Sequence, residues 1–240
     1  MQTFEPTEGY SLAFSGGKDS IVLLDLARRS GVKFHANYSN TGLEFPGMIQ
    51  FTHEHYPEVQ VHPPRYSFFQ LIKTKGLPTR FIRWCCDKLK HEAARGIYTC
   101  TGIRWAESSS RSKRRLNEFC VKLGLRTLNP IIDWGDDDIW HYIHDHALAV
   151  PEYYSQGFLR IGCIACPMAS SHQRWRELLM APKYQRAFIH AAQGRMDYLH
   201  PAHALRQRFV SGEAYFRWWM SNSPFTLDPS GTLDFTSAAE

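Results

Sequence analysis

Between Tyr10 and Leu24 a short apolar run, Tyr-Ser-Leu-Ala-Phe, stops at Ser15-Gly16-Gly17-Lys18-Asp19-Ser20, and apolar residues then resume at helical spacing through Leu26 and Ala27. This order predicts a strand, a tight loop and a helix start. It constrains the chain, because a strand running straight into a helix is the opening of a parallel α/β sheet. Gly16 and Gly17 let the backbone turn without a Cβ clash. Successive amide N–H groups can then face one concavity at the helix N-terminus, where the dipole favours an anion. Such a loop suits a phosphate, pyrophosphate or sulfate. Lys18 adds a mobile cation, Ser15 and Ser20 add hydroxyl donors, and Asp19 either holds a magnesium ion or caps the helix. A Walker A loop does not fit, since Leu12 stands where it needs Gly and Asp19 where it needs Ser or Thr. An ordinary strand-to-helix turn is the plain alternative.

At 240 residues, 43% hydrophobic and 14% aromatic, the chain can bury the core of one α/β domain, or of one with a helical appendage. A net charge of +5 is compatible with anionic ligands but too mild to mark nucleic-acid binding by itself. The opening residues lack a basic-then-apolar leader, and no apolar run reaches membrane-spanning length. A cytoplasmic protein with no membrane partner is expected.

Val32–Tyr38 reads as a second strand ending at Ser39-Asn40-Thr41-Gly42, which places Asn40–Gly42 at the same sheet edge as Ser15–Ser20. Gly47–His55 and Ser67–Lys75 read as helices, Val59–His62 and Ile97–Ile103 as strands, and Arg111–Lys122 as a basic helix. Its cations, Lys113 to Arg115, suit a solvated face better than a nucleic-acid backbone contact. Asp136-Asp137-Asp138 suits the capping of a following helix better than a cation site. From Ser170 onward the pattern is helical over 174–180, 183–193 and 202–220, with an irregular tail after Ser221.

Six cysteines in a reducing compartment point away from disulfides. Cys85-Cys86 and the distant Cys163-x-x-Cys166 form two local pairs that can close on one metal centre. Adjacent cysteines are awkward ligands for one zinc ion, whereas the separated iron corners of a cubane accept both. Zinc and reduced structural thiols are the alternatives. Cys100, in a predicted strand, and Cys120, on the predicted basic helix, read as buried apolar residues.

Five segments carry a family resemblance. Ser-Gly-Gly-x-Asp-Ser at Ser15–Ser20 resembles the PP-loop of the adenine nucleotide alpha-hydrolase-like ATP pyrophosphatases. Asn40-Thr41-Gly42-Leu43-Glu44-Phe45-Pro46 resembles the Asp-Thr-Gly-x-x-Phe-Pro segment of the phosphoadenosine phosphosulfate (PAPS) reductase family, with Asn40 replacing the Asp. Gly102 to Arg111 resembles that family's Gly-x-Arg-x-x-Glu-Ser-x-x-Arg, whose cations contact the nucleotide or its anionic group, and Pro130 to Trp140 resembles its Pro-x-x-Asp-Trp-x-x-x-Asp-x-Trp. The cysteine set is similar to the 4Fe-4S signature of the adenosine phosphosulfate (APS) reductases, with Gly157-Phe158-x-x-Ile161-Gly162-Cys163-x-x-Cys166 as its downstream half. On these segments the chain is identified as a member of that superfamily.

The resemblance implies a parallel α/β sheet with helices on both faces, Rossmann-like, over residues 1–168 with the iron–sulfur ligands, and a helical extension over 169–240. It implies catalytic roles for Lys18, Asp19, Arg104 and Arg111. It implies nucleotide contacts from Ser15, Gly16, Gly17, Ser20, Asn40, Thr41, Gly42, Gly102, Glu107 and Ser108, and cluster ligation by Cys85, Cys86, Cys163 and Cys166. The implied cofactors are a 4Fe-4S cluster, ATP and magnesium.

Sulfonucleotide reductases attack sulfate with a cysteine in a C-terminal Glu-Cys-Gly-x-His setting, and no cysteine follows Cys166 here. A reductase reading needs Cys100, Cys120 or a partner's thiol. A cluster-bearing ATP pyrophosphatase without that cysteine resembles the DNA phosphorothioation proteins of the DndC and SspD type. In that reading ATP adenylates a DNA backbone oxygen, pyrophosphate leaves, and sulfur from a cysteine desulfurase partner replaces the activated oxygen. A sulfite-forming APS or PAPS reductase and a nucleotide-sensing subunit are the alternatives, and a homo-oligomer stays open.

Overall fold

A computed structural model describes residues 1–90, 98–121 and 124–221. The chain forms two compact units, Met1–Pro64 with Leu89–Gly162, and Arg65–Lys88 with Cys163–Glu240.

In the first unit β1 (Tyr10–Phe14) buries Tyr10, Leu12 and Phe14 on alternate positions and runs into α1 (Lys18–Ser30). Helix α1 buries Ile21, Val22, Leu23, Leu24 and Ala27 and ends at Gly31, whose φ of 67° closes the last turn as a left-handed cap. Strand β2 (Phe34–Ser39), helix α2 (Met48–His55) and strand β3 (Gln60–His62) follow. The chain then leaves for α3 (Phe68–Lys75) and α4 (Trp84–Leu89), and returns as β4 (Thr99–Cys100), β5 (Asn117–Cys120), β6 (Leu125–Leu128) and α5 (Asp136–Asp145).

The six strands are ordered β3-β2-β1-β4-β6-β5, all parallel except the β5–β6 hairpin, and helices flank the sheet. The α/β class expected from the first loop is what forms. Tyr10 pairs with Phe34 in register on one side of β1, and Leu12 with Cys100 on the other. The order reverses between β1 and β4, so the loops leaving these two strands diverge and open a crevice at the carboxyl edge.

One predicted helix is a strand. Residues 111–113 make a single 3-10 turn and Asn117–Cys120 is β5, paired antiparallel with β6. Leu116, Phe119 and Val121 are all exposed, so no buried apolar face holds a helix here, and Gly124 at φ 61° lets the chain double back into β6. Cys120 therefore lies on a strand. The predicted 97–103 strand shortens to β4, and Ile97 and Lys122 fall outside the described residues.

The second unit is helical. Its elements are α3, α4, α6 (Ser171–Met180), α7 (Pro182–Tyr198), α8 (Ala204–Arg208) and α9 (Gly212–Ser221). The phenyl ring of Phe188 lies 5.6 Å from that of Phe68 and 5.1 Å from the Trp219 ring, and Phe68 stacks on Trp84 at 5.3 Å. Tyr215 Oη accepts from the Leu77 amide at 3.0 Å. These contacts draw residues 65–88 into the helical unit, so it is more than an extension beginning at 169. All four candidate cluster cysteines belong to it, rather than to the unit carrying the sheet. The predicted 202–220 helix is broken before Gly212, where a Cβ would stand 2.3 Å from the Gln193 amide nitrogen of α7. The irregular tail expected after Ser221 lies outside the described residues. No described helix is long and apolar enough to cross a membrane.

Candidate functional site

The loop after β1 is braced from within. Ser20 Oγ accepts from the Ser15 amide at 3.1 Å and donates to the Gly17 carbonyl at 2.8 Å. Ser20 thus pins the turn. Gly16 has φ 72°, a left-handed backbone conformation that favours glycine, while the nearest atom to an added Cβ is the movable end of Met48. Gly17 is the N-cap, and the first helical amide, that of Lys18, donates to Tyr154 Oη at 2.8 Å. Burial, only partly offset by this bond, holds the Tyr154 phenol above its ordinary pKa, so it remains a neutral acceptor there.

Two charged pairs meet at the loop. Arg104, 2% exposed, directs Nε to Asp19 Oδ1 at 2.7 Å, Nη1 to the Trp134 carbonyl at 3.2 Å and Nη2 to Asp136 Oδ1 at 2.7 Å. Lys18 Nζ lies 3.2 Å from the same Asp136 oxygen and 3.6 Å from Asp19 Oδ2. Burial would lower the Arg104 pKa and raise that of Asp136, but the carboxylates of Asp19 and Asp136 win at the guanidinium, and Arg104 with Lys18 wins at the Asp136 carboxyl. The guanidinium is held above and the carboxyl below its ordinary value.

The topology brings Gly102 here as well. A Cβ on it would stand 3.0 Å from the Asp19 carbonyl oxygen, so the loop after β4 lies against the first turn of α1. Glu107 accepts from the Arg104 amide at 2.9 Å and pairs with Arg111, while Ser108 Oγ receives the Arg111 amide at 3.3 Å. At the end of β2, Asn40 Oδ1 accepts from the Gly42 amide at 2.8 Å, and Glu44 Oε1 holds the Thr41 amide and hydroxyl at 2.7 and 2.8 Å. This second loop sits at the same sheet edge as the first.

Asp19 does not cap α1 through its side chain. With Arg104 and Lys18 both on its carboxylate, it does not suit a magnesium ion in this arrangement either. Asp138 carries the capping expected of the acidic run, its Oδ2 accepting from the Gly135 amide at 2.7 Å. Asp136, Tyr154 and the Trp134 carbonyl are the site groups that sequence reasoning missed. Asp136 alone left a signal, as the first carboxylate after Trp-Gly, and its use by Arg104 comes from tertiary structure.

In the second unit Cys85 and Cys86 lie in the first turn of α4, and these two with Cys163 and Cys166 are half-buried. The Cys85 thiol is pushed up by its hydrogen bond to Cys86, by burial, and by the charges of Cys86, Cys163 and Cys166. Four thiols therefore share one electrostatic environment, in which each thiolate opposes the next and a cationic centre would relieve all of them. That donor set fits an iron–sulfur cluster. Among the described residues no three His, Cys, Asp or Glu side chains close on a point as a single-ion site requires.

The turn between Cys163 and Cys166 is held from α6. Glu177, 2% exposed, accepts from the Ala165 amide at 2.7 Å, and Ala165 itself has φ 55°. Arg174, fully buried, stacks on the Trp219 ring at 3.9 Å and donates to the Trp219 carbonyl at 2.8 Å. Its pKa is lowered to about 10 by burial, against the pull of Cys166 and Glu177. Cys100 is buried in β4, with its thiol pushed up to about 12 by desolvation.

The sequence pattern of the phosphoadenosine phosphosulfate reductase domain matches residues 9–169. An uncharacterized protein of Methanocaldococcus jannaschii is 32% identical over 170 residues, 65% of this chain and 41% of the relative. The chain thus spans about two fifths of that relative's length. The adenosine 5'-phosphosulfate reductase of Allochromatium vinosum is 26% identical over 65% of this chain and 67% of its own, and adenosine 5'-phosphosulfate reductase 2 of Bacillus subtilis 28% over 66% and 72%. The fold is similar to that of a PAPS reductase from Candida auris solved as a phosphate complex, with TM-score 0.51 and 19% identity over 68% of this chain and 83% of that one.

Proposed function

We propose, for a chain that belongs to the phosphoadenosine phosphosulfate reductase domain family, that the first unit binds ATP by its anionic tail and activates an acceptor for sulfur transfer with loss of pyrophosphate. The observation that carries the anion site is the convergence of Lys18 and Arg104 on one carboxylate oxygen, beside a glycine-turned helix N-terminus at the sheet's reversal point. Lys18 would draw charge from the departing pyrophosphate, and the Arg104 clamp would hold Asp19 and the Gly102 loop in place around it.

The four thiols of the second unit are the proposed ligands of a 4Fe-4S cluster, which when bound would supply sulfur relay or structural support. Magnesium is expected on the nucleotide's own phosphates. DNA is the proposed acceptor and a cysteine desulfurase the proposed sulfur donor, so that DNA phosphorothioate modification is the leading form of the chemistry. Cys100 argues against a reductase working with a thiol of the first unit, because a buried thiol titrating near 12 is neither exposed nor ionised at neutral pH.

Anaerobically purified protein incubated with ATP, magnesium, cysteine, a desulfurase and duplex DNA should release pyrophosphate and lose that activity in Lys18→Ala. No release with DNA, RNA or protein acceptors would overturn the reading. The relatives named adenosine 5'-phosphosulfate reductase favour a second reading, in which the chain forms sulfite. Sulfite release from APS with thioredoxin as reductant would establish it.

A further inference from the structure

Of the four charged groups at the loop, three are inside: Arg104 and Lys18 have side chains 2% and 7% exposed, and Asp19 23%. Asp136 is 67% exposed. Its Oδ1 nevertheless receives both cations, a guanidinium N–H at 2.7 Å and the ammonium at 3.2 Å. One anionic oxygen held between an Arg fork and a Lys is how a phosphate or sulfate oxygen is gripped. With Asp136 in place the four charges sum to zero, and an incoming polyanion meets a neutral site rather than a cationic one. Asp136 is also the group that can leave. It is the first residue of α5, at its solvent end, whereas the other three are wedged against Trp134, the first turn of α1 and one another.

We propose that Asp136 is a specificity-determining residue of this site, a resident carboxylate that occupies the oxygen position between Lys18 and Arg104 and must be exchanged for the ligand's anionic tail. The exchange sets a threshold. A ligand must bring more charge than the carboxylate it displaces, so a di- or triphosphate tail is favoured most, a dianion such as sulfate less, and a singly charged anion is held off. This rests on the anion-site reading above, with Asp136 acting against the ligand instead of assisting it.

The test is titration calorimetry on the full chain with inorganic pyrophosphate and with sulfate, comparing wild type, Asp136→Asn, and both again in Lys18→Ala. The amide keeps an acceptor for Arg104, and a thermal melt checks the fold; Asp136→Ser is the second variant. Removing one like charge roughly 5 Å from the ligand in water-like surroundings should tighten pyrophosphate binding at least about fourfold per ligand charge. Sulfate, with fewer charges, should gain by a smaller factor, and in the Lys18→Ala background the gain should shrink because the two residues act on one oxygen position. Unchanged or weaker pyrophosphate binding in both Asp136 variants would overturn the proposal while leaving the anion site intact. Failure of every protein to bind pyrophosphate would overturn both.

Discussion

Replacing Arg104 by Met tests whether this residue holds the site together in addition to gripping an anionic ligand. Its three donor nitrogens face Asp19, the Trp134 carbonyl and Asp136. Hydrogen bonds to charged groups contribute about 1.5–3 kcal/mol and to neutral ones about 1 kcal/mol. The Asp136 bond belongs to a carboxylate 67% exposed and is discounted toward the roughly 0–1 kcal/mol of solvated pairs. Met recovers part of the cost of desolvating the cation. The net expected loss is about 2–3 kcal/mol, or about 4–12 °C in melting temperature for a chain of this size. Melting followed by circular dichroism without nucleotide is the assay, with Arg104→Lys falling between Met and wild type because it keeps the charge but not the fork. A melting temperature unchanged in Arg104→Met, with pyrophosphate binding abolished, would refute the clamp and leave Arg104 its contact with the ligand alone.

Gly102→Ala should weaken pyrophosphate binding by about tenfold, the lower part of the 1–3 kcal/mol range for overpacking, because the new Cβ meets Asp19 backbone rather than a movable side chain; equal affinities would show that the loop can back away freely. Glu177→Ala strands the Ala165 amide at a cost of about 1–3 kcal/mol and should lower both the melting temperature and the iron retained after anaerobic reconstitution. Cys100→Ser should leave nucleotide turnover intact, and iodoacetamide at pH 8 should spare Cys100 in the folded protein, as mass spectrometry would show. Asp136, held below its ordinary pKa, contributes stability present above about pH 4 and lost as pH falls through its lower folded value. The acid limb of an unfolding titration should be shallower in Asp136→Asn.

The strand-loop-helix opening was legible because all its signals are local: alternating apolar residues, a glycine pair and a helical period lie within fifteen or so residues. The convergence of Gly102 and Arg104 on that loop was legible only through resemblance, since it depends on β4 lying next to β1 across a long stretch of chain. Residues 111–122 misled because charge favours a helix surface and says nothing of the partner, and β6 supplies the pairing that decides. Residues 65–88 read from sequence alone as part of the sheet domain for a related reason. Their helical period was visible, whereas the ring contacts from Phe68 to Phe188 and Trp84 join segments far apart in sequence.

That reassignment bears on the chemistry. The chain passes between its two units after Pro64, after Lys88 and after Gly162, and the last two crossings are bordered by cysteine pairs, Cys85-Cys86 just before the one and Cys163-x-x-Cys166 just after the other. A cluster on the four thiols would fasten these two stretches of backbone to each other, closing a long loop that contains β4, β5, β6 and α5, and with them Arg104 and Asp136. Loop closure removes conformational freedom from the unfolded chain, and more so as the loop lengthens. Loss of iron should therefore be felt in the unfolding of the sheet unit, although none of its residues is a proposed ligand. If chelation lowered the melting temperature of the helical unit alone, with hydrogen exchange in β4 and β6 unchanged, the thiols would be holding a local centre without organising the nucleotide site.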